Sequence, residues 1–275
     1  MRFALSTNWC NRRLQSGEEI ADKALELGFD ALELGFHTTP AQVAGFKSRL
    51  DRMPVGSVHA FCPVPISAPQ GYPELYQLAS FDAEMRRMAQ LMIRRNLAFA
   101  AEMGARALVL HAGRVSGDSA WLRFVPERWA ARLSERRRVG RGRRMADVLR
   151  RELESLVPEL ERLGVRLGLE NLPYREGFPD ATELAAVTGD WVRPWWDTGH
   201  AFAMGVAPDA VGITPLGMHL NDSNGGDDHL APGEGKIDFA AYRPMMEVAD
   251  HLVFEPNPGV TEARLRQGLE RMRSQ

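Results

Sequence analysis

The chain has 275 residues, of which 44% are hydrophobic and 25% are charged, and its formal net charge is −2. This length and composition are typical of one large soluble α/β domain, and two cysteines exclude a disulfide framework. No apolar run approaches the roughly 20 residues of a membrane span, and the N-terminus lacks the pattern of a secretory leader. A reducing, cytoplasmic location is therefore predicted.

Charge is unevenly distributed along the chain. Residues 123–151 hold 11 Arg and 3 acidic residues, a local balance of +8, so the net −2 leaves −10 for the rest. An acidic protein with one basic segment does not present the broad basic face of a duplex-binding protein. The Arg-rich segment is interpreted as a solvated, partly helical face, and no nucleic-acid partner is predicted from charge.

Eight strand-like apolar runs alternate with helical patterns. The runs occupy residues 2–6, 30–36, 55–60, 106–112, 165–171, 192–197, 216–221 and 251–255. Helical patterns cover 16–27, 40–51, 81–103, 144–163, 180–188, 238–249 and 261–273, and the short sixth connection leaves its helix undefined. Near-continuous apolar strands are typical of a parallel sheet that is buried on both faces. We predict a single (β/α)8 TIM barrel over residues 1–275, with a doubly wound open sheet as the alternative.

Three long loops follow strands, at residues 61–80, 113–143 and 222–237. Loops at the C-terminal face of a barrel carry binding and catalytic residues. Four prolines stiffen the loop at 61–80, which suits a lid or a pocket wall. The functional site is therefore expected on this face.

Residues of metal-binding types end the last four strands. These are Glu170, Asp197, His219 and Glu255, and strand ends of this kind converge when the strands close into a barrel. The set is rich in oxygen and suits Mn²⁺, Mg²⁺ or Zn²⁺. Any one of these residues could form a local salt bridge instead, but a group of buried carboxylates is costly without a cation. The pattern predicts a divalent-metal site.

Further candidates flank this set. His59 and His111 end strands three and four, where each could complete a second metal site, bind a substrate hydroxyl or be structural. His200 follows strand six closely enough to face the same pocket. The glycine-rich seventh loop could bring Asp227 and His229 inward as metal ligands, or the two could stabilise the loop.

Together these motifs resemble the xylose-isomerase-like TIM barrels, which group sugar isomerases and epimerases with the endonuclease IV type of AP endonuclease. The resemblance covers essentially the whole chain and rests on LHAG, LGLEN, WWDTGHAFAMG, MHLNDSNGGDDHLAPGEGKIDF and VFEP, in this order. In the isomerase branch it implies one divalent metal on the four strand-end residues, with the two glutamates also moving protons. In the endonuclease branch it implies three zinc ions on nine ligands, which here add His59, His111, His200, Asp227 and His229.

The favoured hypothesis is a divalent-metal-dependent isomerase or epimerase of a small sugar or polyhydroxy carbonyl compound, acting through an enediolate. Glu170 and Glu255 are the predicted catalytic pair, and His200, His59 and His111 are the predicted substrate contacts. The substrate would be a small sugar or a sugar-phosphate-like molecule, and the chain is compatible with a homo-oligomer.

Two other enzymatic hypotheses stay open. One is an endonuclease IV-like zinc phosphodiesterase acting on abasic DNA, which the nine matching positions support. The other is a metal-dependent dehydratase of a cyclic acid, in which the Arg-rich loop would attract a carboxylated or phosphorylated substrate. A non-catalytic binding barrel is the remaining alternative. The number and identity of the bound metal ions would separate the isomerase from the nuclease.

Overall fold

Eight parallel strands form a closed barrel, which confirms the predicted fold. The computed structural model describes residues 1–66, 68–115, 127–181, 183–184, 189–210 and 212–274, with the backbone alone at 127–137. The strands in chain order are β1 (Ala4–Ser6), β2 (Ala31–Leu34), β3 (Val55–His59), β4 (Ala107–Leu110), β5 (Gly113–Arg114), β6 (Arg166–Glu170), β7 (Gly177–Phe178), β8 (Val192–Asp197), β9 (Gly217–Leu220) and β10 (His251–Phe254). The barrel order is β1-β10-β9-β8-β6-β4-β3-β2, and β5 with β7 forms a separate antiparallel pair that the sequence did not predict.

Helices connect the barrel strands. They are α1 (Gly17–Leu27), α2 (Pro40–Lys47), α3 (Ala83–Glu102), α4 (Glu127–Glu154), α5 (Val157–Leu163), α6 (Thr198–Ala203), α7 (Phe239–Val248) and α8 (Glu262–Ser274). The first helix begins and ends as predicted, because the Ser16 hydroxyl accepts the backbone N–H of Glu19 and Gly28 takes a left-handed φ of 91°. None of the helices in the described ranges is long and apolar enough to cross a bilayer.

The region around α4 differs from the prediction. The loop expected at 113–143 is wrong from Glu127 onward, because α4 already begins there and its arginines, alanines and leucines are good helix formers. The helix expected at 144–163 breaks after Glu154, since Pro158 has no amide hydrogen and its ring would clash with the carbonyl of residue 154. Residues 116–126, and 182 and 185–188 of the helix expected at 180–188, lie outside the described ranges.

A tryptophan fills the barrel interior below the C-terminal strand ends. Trp195 is fully buried and packs with small apolar residues, including Ala107, into an inner cluster separate from the main core under the helices. Gly168 and Gly217 make room for it, since a Cβ at these positions would lie 2.7 and 2.3 Å from its ring. The indole therefore forms the floor of the space in which the strand-end residues meet.

Candidate active site

The four predicted strand-end residues meet above this floor. Nδ1 of His219 lies 3.1 Å from Oε1 of Glu170, 3.1 Å from Oε2 of Glu255 and 3.8 Å from Oδ2 of Asp197. One ligand atom from each of the four residues lies within 4.8 Å of the others, and none of the residues is more than 6% exposed. The closed barrel thus brings together residues that are far apart in the chain.

Hydrogen bonds hold the Asp197 carboxylate in place. Asp197 pairs with His219 across β8 and β9, and it also caps α6, where its Oδ1 accepts the backbone N–H of His200 at 2.7 Å. Its Oδ2 accepts a hydrogen bond from Nδ2 of Asn221 at 2.7 Å, and its own backbone N–H donates to Oδ1 of Asn171 at 2.8 Å. Both asparagines directly follow strands, and the sequence did not single them out.

Three further histidines surround Glu170. Nε2 of His59 and Nε2 of His111 each lie 3.1 Å from Oε2 of Glu170, and Nδ1 of His200 lies 3.3 Å from Oε1. Burial lowers the pKa of His200, but the charges of Asp197 and Glu170 outweigh it and raise this pKa to about 9. The structure therefore places all three predicted flanking histidines in contact with one carboxylate.

The candidates from the seventh loop are placed differently. His229 lies at the edge of the site, with Nδ1 2.9 Å from the backbone oxygen of Glu255 and 4.0 Å from its Oε2. Asp227 is exposed and accepts a hydrogen bond from Nδ2 of Asn224 at 3.0 Å. The loop leaves Asp227 outside the cluster, because it folds around the buried carboxylate of Asp222, and Asp227 bonds within the loop.

The sequence interpretation missed three more residues near the site, besides Asn171 and Asn221. Glu33 on β2 is fully buried, with Oε1 3.1 Å from Nε2 of His219. Nδ2 of Asn8 donates to Oε1 of Glu255 at 3.2 Å, and Glu74 from the loop at 61–80 lies beside His111. A lone acid inside an apolar strand was the available signal for Glu33, whereas the proline-rich loop gave none for Glu74.

Opposite charges offset the cost of burial in this cluster. Burial lowers the pKa of His219, but Glu255, Glu170 and Glu33 outweigh it and raise this pKa well above 6.5. Burial likewise opposes ionisation of Glu170, but His219 and His111 hold its pKa well below the usual value. Several carboxylates thus compete for one imidazole. A divalent cation bound at Nδ1 of His219 would displace the proton from that nitrogen and neutralise the negative charge of the carboxylates. The donor set therefore fits such an ion.

Comparison with known families identifies the chain. Residues 21–275 match the family model described as "Xylose isomerase-like TIM barrel". The chain belongs to this family. No curated protein shows significant sequence similarity to this xylose isomerase-like barrel.

Solved structures with the same fold include sugar epimerases. A D-tagatose 3-epimerase-like protein is 23% identical over 100% of this chain and 96% of its own, with a TM-score of 0.70. D-psicose 3-epimerase, crystallised in the presence of D-fructose, is 18% identical over 100% and 99%, with a TM-score of 0.68. The IolI protein with a bound zinc atom is 14% identical over 99% and 96%, with a TM-score of 0.70. Because these identities are low, the likeness shows the fold alone.

Proposed function

We propose that this xylose isomerase-like barrel is a divalent-metal-dependent isomerase or epimerase of a small sugar. The observation that carries the proposal is the carboxylate pair Glu170 and Glu255, which lie on β6 and directly after β10 and both contact Nδ1 of His219. The sugar epimerases among the solved structures support the substrate class.

Glu170, Asp197, His219 and Glu255 would hold the ion. When bound, the ion would polarise the substrate carbonyl and stabilise the negative charge that develops on its oxygen. Three carboxylates and one imidazole are compatible with Mn²⁺, Mg²⁺ or Zn²⁺, and the zinc in the IolI structure supports a divalent ion.

The two glutamates would move the proton. One carboxylate takes it from the carbon beside the carbonyl, and the C–H electron pair passes into the carbon–carbon bond of an enediolate. The other glutamate, in its protonated carboxylic acid form, donates its proton to carbon, from the opposite face in an epimerisation, and becomes a carboxylate. The surroundings differ, since Glu170 contacts four imidazoles whereas Oε1 of Glu255 accepts from the neutral amide of Asn8. Such a difference gives paired carboxylates separate acid and base roles.

The flanking histidines would bind substrate oxygens. Nδ1 of His200 lies 2.8 Å from the backbone oxygen of Asn171, which leaves Nε2 for a substrate hydroxyl. His111 offers Nδ1, which is buried and lies 3.7 Å from Oε1 of Glu74, beyond direct hydrogen-bond distance. His59, at the end of the adjacent strand β3, would also contact a substrate oxygen.

One observation supports the zinc phosphodiesterase as a second candidate. Nδ1 of His59 lies 3.0 Å from the backbone oxygen of Ala60, so its N–H points there and the lone pair of Nε2 faces Oε2 of Glu170. With Nε2 of His111 at the same oxygen, these atoms form a donor set that suits a second zinc ion. The position of Asp227 favours the isomerase, because the nine-ligand arrangement requires this carboxylate in the site.

The isomerase proposal is tested by proton exchange. The protein, loaded with Mn²⁺, Mg²⁺ or Zn²⁺, is incubated in D₂O with a panel of ketohexoses and ketopentoses, and deuterium uptake beside the carbonyl is followed by NMR. At least one sugar should exchange, and Glu255→Gln should slow that exchange about 10²–10⁴-fold, the usual contribution of an acid–base group. Glu247→Gln, on the exposed face of α7, is the control. Full exchange in Glu255→Gln would contradict the assignment.

A further inference from the structure

Glu33 contacts the face of His219 that points away from the other carboxylates. Its Oε1 and Oε2 lie 3.1 and 3.2 Å from Nε2 of His219, and both residues are fully buried. We propose that Glu33 is a positioning residue, which accepts the Nε2–H of His219 and thereby directs Nδ1 to the metal ion. This inference rests on the proposed metal site, and it assigns Glu33 no contact with the substrate.

The two ring nitrogens of His219 are divided between two sets of carboxylates. Nδ1 faces the ligand oxygens of Glu170, Asp197 and Glu255, whereas Nε2 faces Glu33. A neutral imidazole carries its proton on one nitrogen and offers a lone pair on the other. With a divalent ion among the carboxylates on the Nδ1 side, Nδ1 would offer its lone pair to the ion. The proton would then lie on Nε2, where the Glu33 carboxylate accepts it. A carboxylate in this place also makes the histidine a more basic ligand.

An irregularity in the sheet brings a second residue to Glu33. Leu32 pairs with Val55 but Glu33 pairs with Ser57, so Gly56 is an extra residue in β3. This bulge places the Ser57 hydroxyl where it donates to Oε2 of Glu33 at 2.8 Å. Bulges commonly redirect side chains beside active sites. The Glu33 carboxylate therefore accepts a hydrogen bond from Ser57 on the neighbouring strand as well as facing Nε2 of His219.

The burial of the Glu33 carboxylate is explained by its contact with His219. Burying a charge is costly unless it is paired and hydrogen-bonded, and an apolar residue on β2 would fill the barrel without that cost. Glu33 has no role as a ligand within the four-residue set, because its oxygens meet Nε2 and not Nδ1. Orientation of His219 accounts for both the charge and its position.

Metal affinity tests the role of Glu33. The Zn²⁺ dissociation constant of the metal-stripped 275-residue protein is measured by competition with a chelating dye. Glu33→Gln keeps the shape and an oxygen acceptor but removes the charge, and it should weaken Zn²⁺ binding about 10–100-fold, the usual effect of losing such a partner. Ser57→Ala should weaken it in the same direction but less. Glu152→Gln, a half-buried glutamate that pairs with Arg86 away from the site, is the control and should leave the constant within about twofold.

A spectroscopic measurement separates orientation from a purely structural role. In the Zn²⁺-loaded wild-type protein, histidine ¹⁵N NMR should show a proton on Nε2 of His219 and none on Nδ1, with the signal assigned by its loss in His219→Gln. Protonated Nδ1, or equal Zn²⁺ affinity in wild type and Glu33→Gln, would overturn the inference and leave the metal site standing. A wild-type protein that binds no divalent ion would overturn the proposed function as well. If Glu33→Gln does not fold, the Zn²⁺ affinity of Ser57→Ala and the wild-type ¹⁵N spectrum still test whether Glu33 orients His219.

Discussion

The histidines of the site differ in what their second ring nitrogen contacts. Nδ1 of His59 and Nδ1 of His200 each meet a backbone carbonyl, whereas Nε2 of His219 meets the carboxylate of Glu33. A charged acceptor raises the basicity of the opposite nitrogen more than a neutral carbonyl does. At the scale of single residues, we therefore expect His219 to be the strongest imidazole ligand of the proposed metal site, whereas His59 and His200 suit substrate binding or a weaker second ion.

His37 should make stability depend on pH. Burial lowers its pKa to about 4, and Arg12 and His59 act in the same direction. Because the pKa is lower in the folded than in the unfolded chain, the contribution is complete above about 6.5 and is lost as the pH falls towards 4. In a chelating buffer, His37→Gln should lose less unfolding free energy between pH 7 and pH 4.5 than the wild type, as measured by urea titration. An equal loss of unfolding free energy in His37→Gln and the wild type would show that His37 does not contribute to the pH dependence.

The clustering of the strand-end residues was predictable because the carboxyl ends of barrel strands converge. Glu170, Asp197 and His219 could be placed together from strand order alone, without any side-chain direction. A lone acid in an apolar strand marks Glu33 as unusual, but its contact with His219 across the barrel could not be read from strand order. The bulge that brings Ser57 to Glu33 has no local pattern in β2 or β3 either. Glu74 reaches His111 from a loop whose path is set by tertiary packing, which spacing along the chain does not encode.

At the scale of elements, the loop at 222–237 depends on one buried carboxylate. Oδ2 of Asp222 accepts the backbone N–H groups of Gly233 and Gly235, and Oδ1 accepts those of Ser223 and Ile237, at 2.8–3.0 Å. Asp222→Asn should therefore lower the free energy of unfolding by roughly 2 kcal/mol or more, because an amide cannot accept all four. Chemical denaturation measures this change.

Asp227→Asn is the control for this loop. The side chain is exposed and bonds to Asn224 alone among the described residues, so its replacement should change stability by less than about 0.5 kcal/mol. It should also leave metal affinity unchanged, because Asp227 lies outside the cluster. A large loss of bound metal in Asp227→Asn would instead support the nine-ligand arrangement of the nuclease.

Helix boundaries show which local signals were decisive. Ser16 and Gly28 mark the ends of α1 by hydrogen bonding and backbone conformation that these residue types favour wherever they occur. The Arg-rich composition was compatible with a helix, but residues 127–143 carry no capping signal that marks where α4 begins, so its start was placed too late. Local chemistry thus predicts capped helix ends well, whereas composition alone does not fix a boundary.

For the whole molecule, the packed barrel interior separates the site from the opposite end of the barrel. Gly217→Ala should lower stability by about 1–3 kcal/mol, since its Cβ would lie 2.3 Å from the ring of buried Trp195. Gly212→Ala, which meets no described atom within 4 Å, is the control and should change stability by less than about 0.5 kcal/mol. Thermal unfolding of the two variants checks the difference. Equal stability would mean that the indole has room to move.

The most direct test of the proposed function is the metal content of protein purified without added metal. Elemental analysis by mass spectrometry should find one divalent ion per chain, and that ion should be lost in Asp197→Asn while Asp227→Asn retains it. The bound ion should also raise the unfolding temperature, because ligands that bind the folded state stabilise it. Three zinc ions per chain, or an ion content that Asp197→Asn does not change, would contradict the single-ion isomerase site.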